Sequence, residues 1–286
     1  MDNLSTIILA ASLVIIMLGM GLSLTLADFK RVLLYPKAIL IGIINQIVLL
    51  PLIGFGLVSV LDVPPEIAIG IMILAACPGG PTSNLISHLA KADLALSVTL
   101  TAMSSLITII TIPFIINFSL IHFVEEGQMI QLNVLETIAQ ILIIVVIPIS
   151  IGMVIKDKRD DFAKRMAKPV RVASGFVLAL VILGIILKEK DNFISYFEQA
   201  GHAALVLNIL TMAAGYFTAK WAKLPLRQMR SISIESGIQN GTLAITIAVV
   251  LLDSSSYAIA PAVYSLIMFV TGAAVIWMGN RSTAEE

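Results

Sequence analysis

The chain has one cysteine, Cys77, and three histidines among its 286 residues. A lone thiol excludes an internal disulfide and every multi-cysteine metal centre. The histidines, His88, His122 and His202, fall at the ends of apolar segments in no ligand spacing. Charge is scarce as well: Asp, Glu, Lys and Arg make up 13% of the chain, where soluble domains carry about 25%. The two signs cancel, and no basic arm is present to draw the chain to nucleic acid. Long polar stretches are missing too. The longest, Lys156 to Lys168, reads as a solvated turn. The start, Met1-Asp2-Asn3, lacks a positive lead, so the first apolar run is expected to be a retained helix and not a cleaved signal. Apolar residues fill the rest, at 58% of the chain and a mean hydropathy of +1.01. No single soluble core absorbs that surplus, but a lipid bilayer does.

Crossing the hydrocarbon takes about 20 apolar residues in a helix. By that measure the chain predicts an all-α polytopic membrane protein with nine spans, at roughly 4–26, 37–60, 66–90, 94–121, 132–155, 169–188, 201–221, 227–252 and 256–279. Sixteen of the 18 Lys and Arg residues belong to the loops after the odd-numbered spans and to the C-terminus; the other two are Lys188 and Lys190. Positive loops stay cytoplasmic. The expected orientation is therefore N-terminus outside and C-terminus inside; the expected location, a separate expectation, is a bacterial-type inner (plasma) membrane.

Two of the nine spans are interrupted. The third contains Cys77-Pro78-Gly79-Gly80-Pro81-Thr82-Ser83-Asn84, where proline removes donors and glycine permits unusual dihedrals. The eighth contains Glu235-Ser236-Gly237-Ile238-Gln239-Asn240-Gly241. Spans three and eight are five apart and enter the membrane from opposite sides, the pattern of an inverted repeat (4+5, lacking the first helix of one half). Paired discontinuous helices are the best sequence pointer to a transporter's binding site. Their carbonyl ends suit a cation and their N–H ends an anionic group. Thr82 or Ser83 is expected to cap the second half-helix of the first break.

Glu235 is the one carboxylate well inside a span. A charge at that depth costs about 2.5–3.5 kcal/mol on insertion scales and marks an ion or proton pathway. Its expected neighbours are hydroxyls and amides: Ser97 and Thr101, four apart on one helical face, and the mid-span pair Asn45-Gln46. Oxygen ligands around a carboxylate suit a hard cation. Two other readings stay open at this point, a protonated Glu235 hydrogen-bonded to Gln239 and a proton-coupled carrier. An intramembrane enzyme finds little support, since the spans hold no His-Glu-x-x-His, no Gly-x-Gly-Asp and no credible Ser–His pair.

With the two crossover motifs, Ala95-Leu96-Ser97-Val98-Thr99-Leu100-Thr101 and Leu18-Gly19-Met20-Gly21-Leu22-Ser23-Leu24, the chain resembles the bile acid:sodium symporter family over nearly its whole length. The resemblance implies a panel domain (about 4–26, 132–155 and 169–188) beside a core domain (about 37–121 and 201–279) in which the broken helices cross. It also implies sodium-coupled symport of an organic anion, with two sodium ions. One ion would be held by Ser83, Asn84, Ser97, Thr101 and Glu235. The other would be held by Gln46, Glu235 and Gln239 with the carbonyls of Ser236 and Ile238. Asn240, Pro81, Thr82 and Phe269 would face the substrate. Pro81 stands where many relatives carry a hydroxyl, and Met268-Phe269 where bile-acid carriers have a polar His-Asn pair. These departures widen the expected substrate from bile-acid-like compounds to small carboxylates such as a keto acid or pantoate.

Overall fold

The computed structural model describes residues 3–124, 132–188 and 193–282. Lys190, one of the two basic residues of the sparse side, lies outside the described residues, as do Met1, Asp2 and the last four residues. The described chain is all-helical, with no strand beyond a single bridged residue pair. Among the described residues five helical stretches are long and apolar enough to cross a membrane: Pro36–Leu61, Leu94–Phe123, Val134–Lys158, Phe197–Trp221 and Ser256–Arg281. A sixth results if Ala10–Gly21 and Leu26–Leu33, bent by 72°, count as one span.

The first apolar run does not continue to residue 26 as a helix. α1 (Asn3–Gly21) stops at Gly21, and the chain turns into the short α2 (Leu26–Lys30). Thr25 and Asp28 form a reciprocal capping box that fixes the new start. α3 (Pro36–Ile44) and α4 (Leu50–Leu61) are joined through a π-helical turn at Asn45–Leu49. α8 (Val134–Ile141) and α9 (Ile147–Lys158) are joined the same way at Leu142–Val146. Pro51 and Pro148 each follow two residues behind their wide turn. A ring that cannot donate and that clashes with the preceding turn is accommodated by opening that turn.

The expected third span is divided into α5 (Pro65–Ala76) and α6 (Pro81–Leu89). The expected eighth is divided into α12 (Leu226–Gly237) and α13 (Gly241–Thr246), which runs on through a π-helical turn at Ile247–Leu251. The two segments are prepared alike. Asp62 and Lys223, both left-handed (φ 48° and 56°), end the preceding helices. One apolar residue follows, then a proline at the N-cap, then a half-helix of 12 residues. Past the second half-helices Lys91 and Asp253 are left-handed again (φ 53° and 49°). These are the only positive-φ non-glycine residues among those described.

α7 (Leu94–Phe123), capped by Asp93, α11 (Phe193–Trp221) and α14 (Ile259–Ser282) surround the divided segments. Every residue from Ile67 to Gly80 and from Ile234 to Val249 is buried. The surrounding helices turn apolar stripes outward instead; on α7 these are Leu106, Ile110, Phe114, Phe118 and Ile121, at helical spacing. Such a stripe finds its solvent in lipid tails.

The charged run at 156–168 is not a turn. α9 continues to Lys158 and α10 (Asp160–Lys188) starts two residues later, so only Arg159 lies between them. Asp160 pairs with both Lys156 and Lys164, each four residues away, and Asp160 and Asp161 sit in the first turn of α10. Pairs at that spacing and acids at a helix start both favour helix.

Basic-loop segments meet at one end of the molecule. Asp93 N–H donates to Arg227 O (3.1 Å), Ser231 donates to Asp93 O (2.8 Å), and Thr99 donates to Asp28 O (3.0 Å).

Candidate functional site

The two breaks touch. Gly79 and Gln239 form an antiparallel bridge, and Asn240 N–H donates to Pro78 O at 2.9 Å. This close approach requires Gly79: a Cβ there would lie 2.1 Å from Glu235 Oε1. At Gly80 it would be 3.5 Å from Asn240, an ordinary contact.

Glu235, 2% exposed near the end of α12, points at the start of α7. Thr101 donates to its Oε1 at 2.5 Å, and Ser97 lies 3.2 Å from Oε2. Asn84 Oδ1 is 2.9 Å from Ser97 Oγ and 3.3 Å from Thr101 Oγ1. Ser83 Oγ is 3.4 Å from Thr101 Oγ1. The five residues assigned to one ion by resemblance thus share one buried oxygen cluster. The cluster is short of protons. Ser83 commits its hydroxyl hydrogen to Gly80 O at 2.7 Å. Ser97 and Thr101 then have two hydrogens for both carboxylate oxygens and for Asn84 Oδ1. With Glu235 ionised, lone pairs face one another in a buried site, an arrangement that a cation relieves, as a proton on Glu235 would.

Beside it, Gln46 donates through Nε2 to Cys77 O (2.9 Å) and to Gln239 Oε1 (2.7 Å). Gln239 Nε2 in turn donates to Ser236 O (2.8 Å) and Glu235 O (3.3 Å). Gln239 therefore bonds the backbone of Glu235 and not its carboxylate, which removes the geometry of a protonated Glu235 held by Gln239. Gln46 Oε1 is buried with no hydrogen-bond partner, and an orphaned acceptor at depth is costly unless something binds it. Ile238 is fully buried, its N–H bonded to Ile234 O at 2.8 Å. Sodium fits these donors: they are oxygens, mostly neutral, with a single carboxylate. Among the described residues no group of three His, Cys, Asp or Glu could hold a metal ion, so a site built for softer metals is not present there.

The residues assigned to the substrate divide. Asn240 spends its side-chain oxygen capping α13, accepting from Leu243 N–H at 3.0 Å. Pro81 opens α6 and, with Thr82, is partly exposed beside the crossing. Phe269, 49% exposed on α14, stands outside the hydrogen-bonded cluster. Neither Thr82 nor Ser83 caps α6; the N-cap is Gly80, and Ser83 bonds back to its carbonyl. With Pro81 at the first helical position one N–H is already absent, which lessens the need for a cap. Two buried residues escaped the reading of the sequence, Asn208 on α11 and Tyr264 on α14, which both bond Gly237 O. The available signal was one amide isolated in an apolar helix.

An all-helical bundle with outward apolar stripes around two divided segments, buried at and beside their breaks, and a central carboxylate defines a multi-pass membrane transporter. The model of the Sodium Bile acid symporter family matches residues 10–196, and the chain belongs to that family. It is 32% identical over 237 residues to the uncharacterized sodium-dependent transporter YocS of Bacillus subtilis, covering 82% of this chain and 71% of that protein. Over 277 residues it is 28% identical to the probable sodium/metabolite cotransporter BASS1, chloroplastic, of Arabidopsis thaliana (96% and 67% covered). Over 251 residues it is 27% identical to the ileal sodium/bile acid cotransporter of Homo sapiens (86% and 71% covered). These relatives are named as transporters, so the chain is not an enzyme, and their names carry sodium dependence as the shared property.

Proposed function

We propose that the protein is a sodium-coupled symporter of an organic anion, working by alternating access in a bacterial-type plasma membrane. Sodium enters as co-substrate. The observation that carries the proposal is the buried cage of neutral oxygens that Ser83, Asn84, Ser97 and Thr101 build around the Glu235 carboxylate, a cage that a proton carrier does not need. A second ion takes the orphaned Gln46 Oε1, Gln239 and the carbonyls of Ser236 and Ile238. The anion binds near Pro81, Thr82 and Asn240, where N-terminal ends of half-helices carry partial positive charge. Nine spans, a 4+5 inverted repeat and a division into core and panel accompany this reading. Support for the repeat comes from Asp62 with Lys91 and Lys223 with Asp253, two left-handed pairs that bracket the two divided segments at nearly equal spacing.

The test is a thermal-shift screen of the purified protein against keto acids, pantoate and bile acids, with sodium or with potassium at equal ionic strength. Binding to the folded state raises apparent stability. The expected result is stabilisation by sodium alone, deepened by one class of anion only when sodium is present. Glu235→Gln should abolish both effects. Anion binding that ignores sodium and follows proton concentration would instead favour the proton-coupled carrier.

A further inference from the structure

The C-terminal end of α12 presents a backbone carbonyl with no helical partner, as every helix end does. At Gly237 two buried side chains converge on that oxygen. Asn208 of α11 donates through Nδ2 at 2.7 Å, and Tyr264 of α14 donates its hydroxyl at 2.9 Å. Asn208 Nδ2 also lies 3.2 Å from the Tyr264 oxygen. Both side chains are 0% exposed. Two donors from two helices thus meet on one oxygen. Turning the Asn208 amide over would set Oδ1 against the Gly237 carbonyl. In the orientation found, Oδ1 is left buried without a partner, a cost accepted to keep both donors on the backbone. Gly237 is also closed in from the side, since a Cβ there would lie 2.1 Å from Met212 Cγ of α11.

We propose that Asn208 and Tyr264 are positioning residues for the ion site: by gripping the Gly237 carbonyl they hold the second helix break in the shape that sodium binds. The inference rests on the reading of Glu235 and the adjoining carbonyls as sodium ligands. Gly237 lies two residues past Glu235, between Ser236 and Ile238. With its carbonyl held by two other helices, its peptide plane cannot rotate, and the planes on either side are restricted with it. Ser236 O and Glu235 O are held on their own account by Gln239 Nε2. The break is thus clamped by Asn208 and Tyr264 through the Gly237 carbonyl and by Gln239, itself held by Gln46, through the two carbonyls before it. Removing the Gly237 clamp frees a carbonyl in an apolar interior, where it seeks another donor and takes the break with it.

The test is equilibrium binding of radioactive sodium to purified full-length protein, paired with melting in sodium-free buffer. Asn208→Leu removes the amide donor while keeping the branching of the side chain, and Tyr264→Phe removes one oxygen. A hydrogen bond lost from a buried carbonyl is expected to raise half-saturating sodium about tenfold in Asn208→Leu and severalfold in Tyr264→Phe. The double variant should fall short of the product of the two, because both act on one oxygen. Tyr216→Phe, the same chemical change on the helix that carries Asn208 but at a hydroxyl that does not bond Gly237 O, should leave half-saturation unchanged. If Tyr264→Phe and Asn208→Leu lower the sodium-free melting temperature but bind sodium like the parent, the residues are only structural and the inference fails. Should Asn208→Leu not fold, Tyr264→Phe decides alone. Absence of saturable sodium binding in the parent protein would instead overturn the sodium reading itself, and this inference with it.

Discussion

Glycine, threonine and asparagine do different work at the crossing, and single substitutions separate them. Gly79 lets the first break approach the Glu235 carboxylate, whereas Gly80 merely touches Asn240. Gly80 has extended backbone angles (φ −132°, ψ −179°) that alanine adopts without strain. Gly79→Ala is therefore expected to push the carboxylate away from Thr101 and to raise half-saturating sodium by at least about tenfold, while Gly80→Ala stays within about twofold. A sodium titration of the melting temperature measures both. Thr101→Val keeps the shape and deletes the donor at 2.5 Å; the unpartnered carboxylate oxygen should cost about 1–3 kcal/mol of site stability, read as weaker sodium stabilisation. Glu235, Ser97, Thr101 and Gln46 were legible in the sequence because polar groups stand out in apolar runs. Asn208 stood out no less, but its role depends on Tyr264, 56 residues away, and no spacing rule links the two.

Among the elements, the breaks were the most legible, since Pro78-Gly79-Gly80-Pro81 cannot continue a helix. The end of α1 was not. Leu22 and Leu24 keep the run apolar, and hydropathy does not register a bend. Packing explains the stop: a Cβ on Gly21 would lie 2.1 Å from Ile149 O, and one on Gly152 would lie 2.4 Å from Leu18 O. α1 and α9 thus cross backbone to backbone through small residues, as membrane helices do where they pack most closely. The charged run was misread for a related reason. Solvated residues joined by pairs four apart make a helix as readily as a loop, and only the bonds from Asp160 to Lys156 and Lys164 decide it. Gly152 meets Leu18 and Gly21 and none of the proposed ion ligands, so Gly152→Ala should separate stability from ion binding. Overpacking of this kind costs about 1–3 kcal/mol. The melting temperature should fall by several degrees, with half-saturating sodium unchanged.

For the molecule as a whole, the ion site must be coupled to a movement, and one crevice is suited to report it. A cavity of about 60 Å³ lies between α1, α7 and α9, lined by Met20, Leu24, Ala102, Ser105, Ser150 and Met153. In the proposed division it separates panel from core. Ser105, on its wall, lies one turn of α7 from Thr101 and donates to that residue's carbonyl at 2.7 Å. Replacing the one cysteine, buried Cys77, by alanine keeps the carbonyl that Gln46 uses and leaves a silent background. Ser150→Cys in that background places a thiol at the crevice wall. Sodium shifts the conformational balance only if it binds one state better than the other. Alternating access with external capture requires that it favour the state in which the cytoplasmic path is closed. A membrane-impermeant maleimide should therefore label Ser150→Cys in inside-out vesicles and not in right-side-out vesicles. Sodium, unlike potassium, should slow the labelling at least about threefold, a shift of about 0.6 kcal/mol. Labelling only from outside would reverse the orientation drawn from the basic loops. A rate indifferent to sodium would break the link between the ion cluster and the crevice, leaving Glu235 a bound charge with no transport to drive.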